Sequence, residues 1–176
     1  ILKANKIDLD SYSGEDIAMY DRLKVDDAKI DGMILSLEQL IDIIDPIGKE
    51  LHSFTHENGL KMTNKTAPFG TVLIIYESRP DVTVEAVGIA FKSGNKILLK
   101  GGKESLNSNL KIVELWHKAL SENNISTDWV EYLNYNRTET QEFLSKPSQK
   151  IDLVVPRGGE KLIAFVKQNA TCPVIV

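Results

Sequence analysis

From Pro68 onward the chain alternates short, unbroken apolar runs rich in β-branched residues with amphipathic stretches of roughly ten to fifteen residues, and few architectures accept that rhythm. Val72-Leu73-Ile74-Ile75, Ile97-Leu98-Leu99 and Leu153-Val154-Val155 are apolar at consecutive positions, as strands covered on both faces must be. The pattern predicts strands near 71–76, 96–100, 130–133, 151–155 and 173–176, with helices between them near 82–93, 105–121, 139–144 and 160–168. Strands joined through helices are parallel, so the expected fold class is α/β: a Rossmann-like, doubly wound, mostly parallel sheet. No internal repeat or low-complexity segment interrupts it.

Ahead of this region the period is different. Ile30, Met33, Ile34, Leu37, Leu40, Ile41 and Ile44 recur at three- and four-residue spacings, the mark of an amphipathic helix face that wants a partner surface. Residues 2 to about 44 therefore read as helical. Asp45-Pro46 followed by Gly48 ends the run, because the residue before a proline avoids the α region. His52 to Asn58 reads as a polar connection. The organisation expected is an N-terminal helical segment over residues 1–48 packed on an α/β domain over residues 49–176.

With 176 residues, 42% of them hydrophobic, the chain can bury one substantial core. Its net charge of -4 supplies no general cationic field, so neither nucleic acid nor an anionic membrane is an expected partner, and any phosphate site has to be local. The apolar runs fall far short of the ~20 residues a membrane helix needs. The single cysteine, Cys172, excludes an internal disulfide framework and fits a cytoplasmic protein. The sequons at Asn64, Asn124, Asn136 and Asn169 carry no weight without a signal peptide.

In an open parallel sheet, ligands bind beyond the carboxyl ends of the strands. The first strand runs into Glu77-Ser78-Arg79-Pro80-Asp81. Pro80 and Asp81 are explained by a helix start, whereas Arg79 has no such structural reason and could grip a phosphate or carboxylate. The second strand runs into Lys100-Gly101-Gly102-Lys103, where glycines admit close approach and lysines supply charge. This is neither a Walker loop nor a GxGxxG fingerprint. A third loop, Arg157-Gly158-Gly159, repeats the sequence of strand, basic residue, glycines and helix start. Each loop alone is an ordinary turn. Three cationic loops on one sheet edge suit a polyanionic ligand, and a phosphorylated nucleotide is the leading expectation.

Read in order, Ala4-Asn5-Lys6-Ile7-Asp8-Leu9, Asp21-Arg22-Leu23, Asp45-Pro46-Ile47-Gly48, Ala67-Pro68-Phe69-Gly70, Tyr76-Glu77-Ser78-Arg79-Pro80-Asp81, Lys92-Ser93-Gly94-Asn95, Lys100-Gly101-Gly102-Lys103-Glu104 and Asp152 to Gly159 resemble the γ-glutamyl phosphate reductases. These are also called glutamate-5-semialdehyde dehydrogenases and are a branch of the aldehyde dehydrogenase superfamily. The resemblance implies NADPH-dependent reduction of L-glutamyl 5-phosphate in proline biosynthesis. In that chemistry a cysteine thiolate displaces phosphate, hydride reaches the resulting thioester, and the semialdehyde leaves.

The resemblance also assigns cofactor-binding roles. It puts Glu77, Ser78, Arg79 and Pro80 beside the nicotinamide, and Lys100, Gly101, Gly102 and Lys103 at the adenosine ribose. Lys103 there suits the 2′-phosphate of NADP. Arg157, Gly158 and Gly159 fall at the pyrophosphate. It implies a homo-oligomer and places the catalytic cysteine in a domain beyond Val176, so that no residue here is expected to be catalytic and the chain alone is expected to be inactive. Cys172 reads as a small buried hydrophobe. His52, His56 and His117 lack metal or triad spacing, so no metal is expected, and Trp116 with Leu120 reads as core packing. Two alternatives stay open, an aldehyde dehydrogenase for another substrate and a non-catalytic nucleotide-binding module.

Overall fold

A computed structural model describes residues 1–176. Three helices come first: α1 (Leu2–Ser11), α2 (Ile17–Leu23) and α3 (Asp27–Asp42). A hairpin of β1 (Glu50–Thr55) and β2 (Lys61–Lys65) follows. The remainder runs β3 (Thr71–Tyr76), α4 (Pro80–Lys92), β4 (Lys96–Lys100), α5 (Leu106–Glu122), β5 (Val130–Tyr132), α6 (Arg137–Ser145), β6 (Leu153–Arg157) and α7 (Glu160–Asn169).

The last four strands form one parallel sheet in the order β5-β4-β3-β6. The chain steps outward from β3 to β4 to β5, then returns to lay β6 on the other side of β3. The strand order thus reverses between β3 and β6, and the fold is doubly wound as expected. Alternate residues of each strand go to opposite faces. Ile74, Tyr76, Ile97, Leu99 and Val130 pack with α4 and α5, while Leu73, Ile75, Leu98 and Val154 pack with α6 and α7. Central β3 and β4 are apolar at successive positions because both of their faces are covered.

The N-terminal helices form a further layer on α4 and α5. Met33, Val25, Val84 and Ile112 make its small core. Helix α3 comes so close to α4 that a Cβ on Gly88 would lie 2.8 Å from a Leu37 methyl and 2.9 Å from one on Leu40. Only half of the apolar stripe is covered: Met33 is buried, but Ile34, Ile41 and Ile44 are exposed.

Three expectations need correction. His52 to Asn58 is not a connection: it is most of β1 and the turn into β2, paired from Glu50↔Lys65 to Thr55↔Lys61. All of β2 and nearly all of β1 is exposed, so burial imposed no alternation on the sequence. The predicted strand at 173–176 reduces to one parallel bridge, Val154↔Val174, beside β6. Strand β6 itself runs two residues later than expected, through Pro156. That proline, which cannot donate to a ladder, is tolerated in a strand whose outer side meets only this bridge.

Candidate functional site

The loops after β3, β4 and β6 meet at the carboxyl edge of the sheet and are tied to one another. Ser78, only 2% exposed, donates from Oγ to Glu104 Oε2 at 2.7 Å, joining the first loop to the second. Glu77 Oε1 accepts from the Gly159 amide at 3.2 Å, joining the first loop to the third. Glycine lets them approach this closely. A Cβ on Gly102 would collide with Ser78 Oγ, and one on Gly158 would lie 2.8 Å from the Glu77 carboxyl carbon. Under the second loop, Tyr76, Thr83, Asn109, Tyr132 and Ser105 form a buried polar chain, with Thr83 Oγ1 donating to Asn109 Oδ1 at 2.8 Å. No buried side-chain polar atom lacks a partner.

The predicted site residues divide between two cavities. Glu77, Ser78, Arg79, Arg157, Gly158 and Gly159 line a crevice of about 320 Å³ at the switch point between β3 and β6. Lys100 and Lys103 line a larger cavity of about 910 Å³ between the sheet edge, α6 and α7. Pro80, Gly101 and Gly102 line neither. Pro80 is buried at the first turn of α4, and the two glycines give the second loop its close fit.

The larger cavity holds residues that the loop reading missed. Arg137 and Lys161 bring its cations to four, and Leu162, Ala164 and Phe165 supply an apolar wall. The Arg137 guanidinium lies 5.3 Å from the centre of the Phe165 ring. The carboxylate present, Glu139, is engaged in a capping box with Asn136, accepting from the Asn136 amide at 2.6 Å. Asparagine followed three residues later by glutamate is the signal that could have placed the start of α6 at 137, two residues before the expected 139. Burial holds Lys100 below the ordinary lysine value, with Glu104 opposing the shift, and its ammonium donates to Gly101 O at 2.7 Å. A partly desolvated cation without a carboxylate bond is poised for an anion.

The smaller crevice also gains residues from α2, Met19 and Arg22. Their position is fixed from α1. Asn5, 1% exposed, donates to Leu23 O at 2.8 Å and accepts from Val25 N at 2.8 Å. Asp8, 3% exposed, accepts from the backbone amides and side chains of Asn107 and Ser108 at 2.6–3.0 Å, anchoring α1 to the amino end of α5. Cys172 packs with the α6–α7 face of the core, and burial pushes its thiol up, away from nucleophilic character. His117 Nε2 meets Val130 O at 2.7 Å, linking α5 to β5.

Over 99% of its length the chain is 43% identical to γ-glutamyl phosphate reductase of Thermotoga maritima. Along almost its whole length the chain is similar to the γ-glutamyl phosphate reductases. The reductase of Shewanella woodyi is 39% identical over the whole chain. The chain spans 43% and 42% of the lengths of these two reductases. The crystal structure of the Thermotoga maritima reductase superposes with a TM-score of 0.93 over 98% of the chain and 42% of that reductase. The reductase of Saccharomyces cerevisiae, 31% identical, superposes with a TM-score of 0.89 over 99% of the chain and 45% of its own. Beyond the reductases, a probable aldehyde dehydrogenase of Listeria monocytogenes shares the fold with a TM-score of 0.72 at 14% identity. No protein-family model matches the chain. No helix is long and apolar enough to cross a membrane.

Proposed function

We propose that this chain is the dinucleotide-binding portion of a γ-glutamyl phosphate reductase, which reduces L-glutamyl 5-phosphate to L-glutamate 5-semialdehyde with NADPH in the cytoplasm, for proline biosynthesis. The observation that carries the reading is the 910 Å³ cavity lined by Lys100, Lys103, Arg137 and Lys161, beside a second crevice at the switch point. Its volume lies within the ~300–1,000 Å³ of small-molecule sites. The donor set fits a phosphorylated dinucleotide: apolar Leu162 and Phe165 for a base, lysines for the ribose phosphate, and the Gly159 amide for the pyrophosphate. That the Gly159 amide already donates to the Glu77 carboxylate supports an anionic oxygen at the amino end of α7.

When bound, a reduced nicotinamide supplies hydride. The chain's own residues bind and orient. Lys100 and Lys103 hold the ribose side, and Glu77 to Pro80 border the reacting end. Arg157 to Gly159 take the pyrophosphate as Glu77 gives way or shares the amide. Residues 1–48 form the helical segment that supports the 49–176 domain. The assembly expected is a homo-oligomer without nucleic acid, and the hairpin's exposed Leu51, Phe54 and Met62 are available to such contacts.

The test is a form extended to the length of the reductase relatives, assayed in reverse with glutamate semialdehyde, inorganic phosphate and NADP. Phosphate-dependent formation of NADPH is the expected result. Oxidation of semialdehyde at the same rate without phosphate would instead favour a hydrolytic aldehyde dehydrogenase, and nucleotide binding without turnover of the semialdehyde would favour another substrate.

A further inference from the structure

We propose that Arg22 and Arg79 form a substrate subsite at the switch-point crevice, holding an anionic group of the acyl phosphate. The assignment rests on the reductase reading above. Three guanidinium side chains line this crevice, but they are not equivalent. Arg157 has a carboxylate partner in Glu85, with Nη1 3.5 Å from Oε2, and lies on the side given to the pyrophosphate. Arg22 and Arg79 make no ion pair and donate no side-chain hydrogen bond. Glu77, the carboxylate in the lining, is already held by the Gly159 amide. Glu77 keeps its charge and offsets one of the three guanidiniums, and Glu85 another, so the crevice retains a net positive charge; its two unpaired forks match the oxygen pairs of a carboxylate or phosphate.

Arg22 is where it is by construction. Leu23, next to it, is fully buried, and its carbonyl is held by Asn5. The Lys29 ammonium donates to Asp21 O at 2.8 Å and to Arg22 O at 3.3 Å, closing the end of α2. The helix terminus is thus pinned from two sides while its arginine side chain is left without a partner. Arg22 and Arg79 are both exposed, so water satisfies them in the free protein and an incoming anion can reach them.

Size separates the two occupants. At about 320 Å³ the crevice is too small for a whole dinucleotide; with Arg157 to Gly159 given to the pyrophosphate, Arg22 and Arg79 are left for a small anion beside it. It adjoins the Glu77 to Pro80 loop, and a hydride acceptor has to lie against the reacting end of the cofactor. An acyl phosphate carrying a carboxylate offers two groups for the forks, its phosphate and its carboxylate.

In the extended form, Arg22→Gln and Arg22→Lys are compared with the parent in the reverse reaction, varying inorganic phosphate and glutamate semialdehyde separately. NADPH dissociation constants are measured by fluorescence without substrate. Because the Arg22 side chain has no partner, both variants should melt at the parent temperature, and Arg79→Lys provides a second, independent variant. The expected result for Arg22→Gln is a KM raised about tenfold or more for one substrate, with the NADPH constant within about twofold and partial recovery in Arg22→Lys. A raised phosphate KM assigns the fork to phosphate, and a raised semialdehyde KM assigns it to the carboxylate. Unchanged KM values, or a weakened NADPH constant alone, overturn the proposal while leaving the reductase reading intact. A parent that neither binds dinucleotide nor turns over removes the reading on which it rests.

Discussion

Lys103 and Lys100 share one cavity but should behave differently. Lys103 is exposed, so its replacement tests charge with little cost to folding. Lys103→Glu is expected to weaken NADPH by about tenfold and NADH much less, read from paired titrations; equal losses would remove the 2′-phosphate role. Lys100 is held below its ordinary value by burial. In its lowered range an unfolded chain still binds the proton that the folded protein has released. Folding therefore gains as pH rises through that window, while an anion, which needs the ammonium, binds less well. NADPH affinity should fall as the solution is made alkaline, with proton uptake on binding visible by calorimetry in buffers of different ionisation enthalpy. At Asp8 the issue is stability. Asp8→Ala would leave donors on Asn107 and Ser108 unmet, and should cost about 2 to 4 kcal/mol in urea unfolding. Arg79, Lys103 and Arg157 were legible as candidate site residues because each lies at or just beyond the carboxyl end of an apolar strand. Arg22 and Asp8 were legible only as parts of matching motifs, since Arg79, which shares a crevice with Arg22, is 57 residues further along the chain, and the partners of Asp8 are about 100 away.

Among the elements, β3 and β4 announced themselves because complete burial requires unbroken apolar runs. The hairpin did not. Both of its faces meet solvent, so its sequence has no period to read, although Asn58-Gly59 in its turn, with Gly59 at φ +86°, was a local hairpin signal. A two-stranded hairpin without a buried face is marginal by itself. Amides of residues 50–65 should accordingly exchange with deuterium orders of magnitude faster than those of β3 and β4 in this chain. Equal protection would show that the hairpin is covered in solution. Helix α3 was legible as an amphipathic stripe, but which half of the stripe is buried depends on Gly88 of α4, too distant in sequence for the pattern to reveal.

For the whole molecule, the doubly wound order β5-β4-β3-β6 places the strand reversal between the two strands whose loops carry Arg79 and Arg157. The alternating rhythm made the fold class legible, but not the division of the site into a larger cationic cavity and a smaller crevice. That division is set by α6 and α7 on one side and α2 on the other, through contacts that no local pattern encodes. The central claim is that the cationic edge is a dinucleotide site. The measurement that tests it most directly is a titration of NADPH and NADH, separately, against this chain and against a form extended to the length of the reductase relatives. The account predicts saturable binding with NADPH the tighter ligand. Failure of the extended form to bind either nucleotide would contradict it and leave the three basic loops a structural role only.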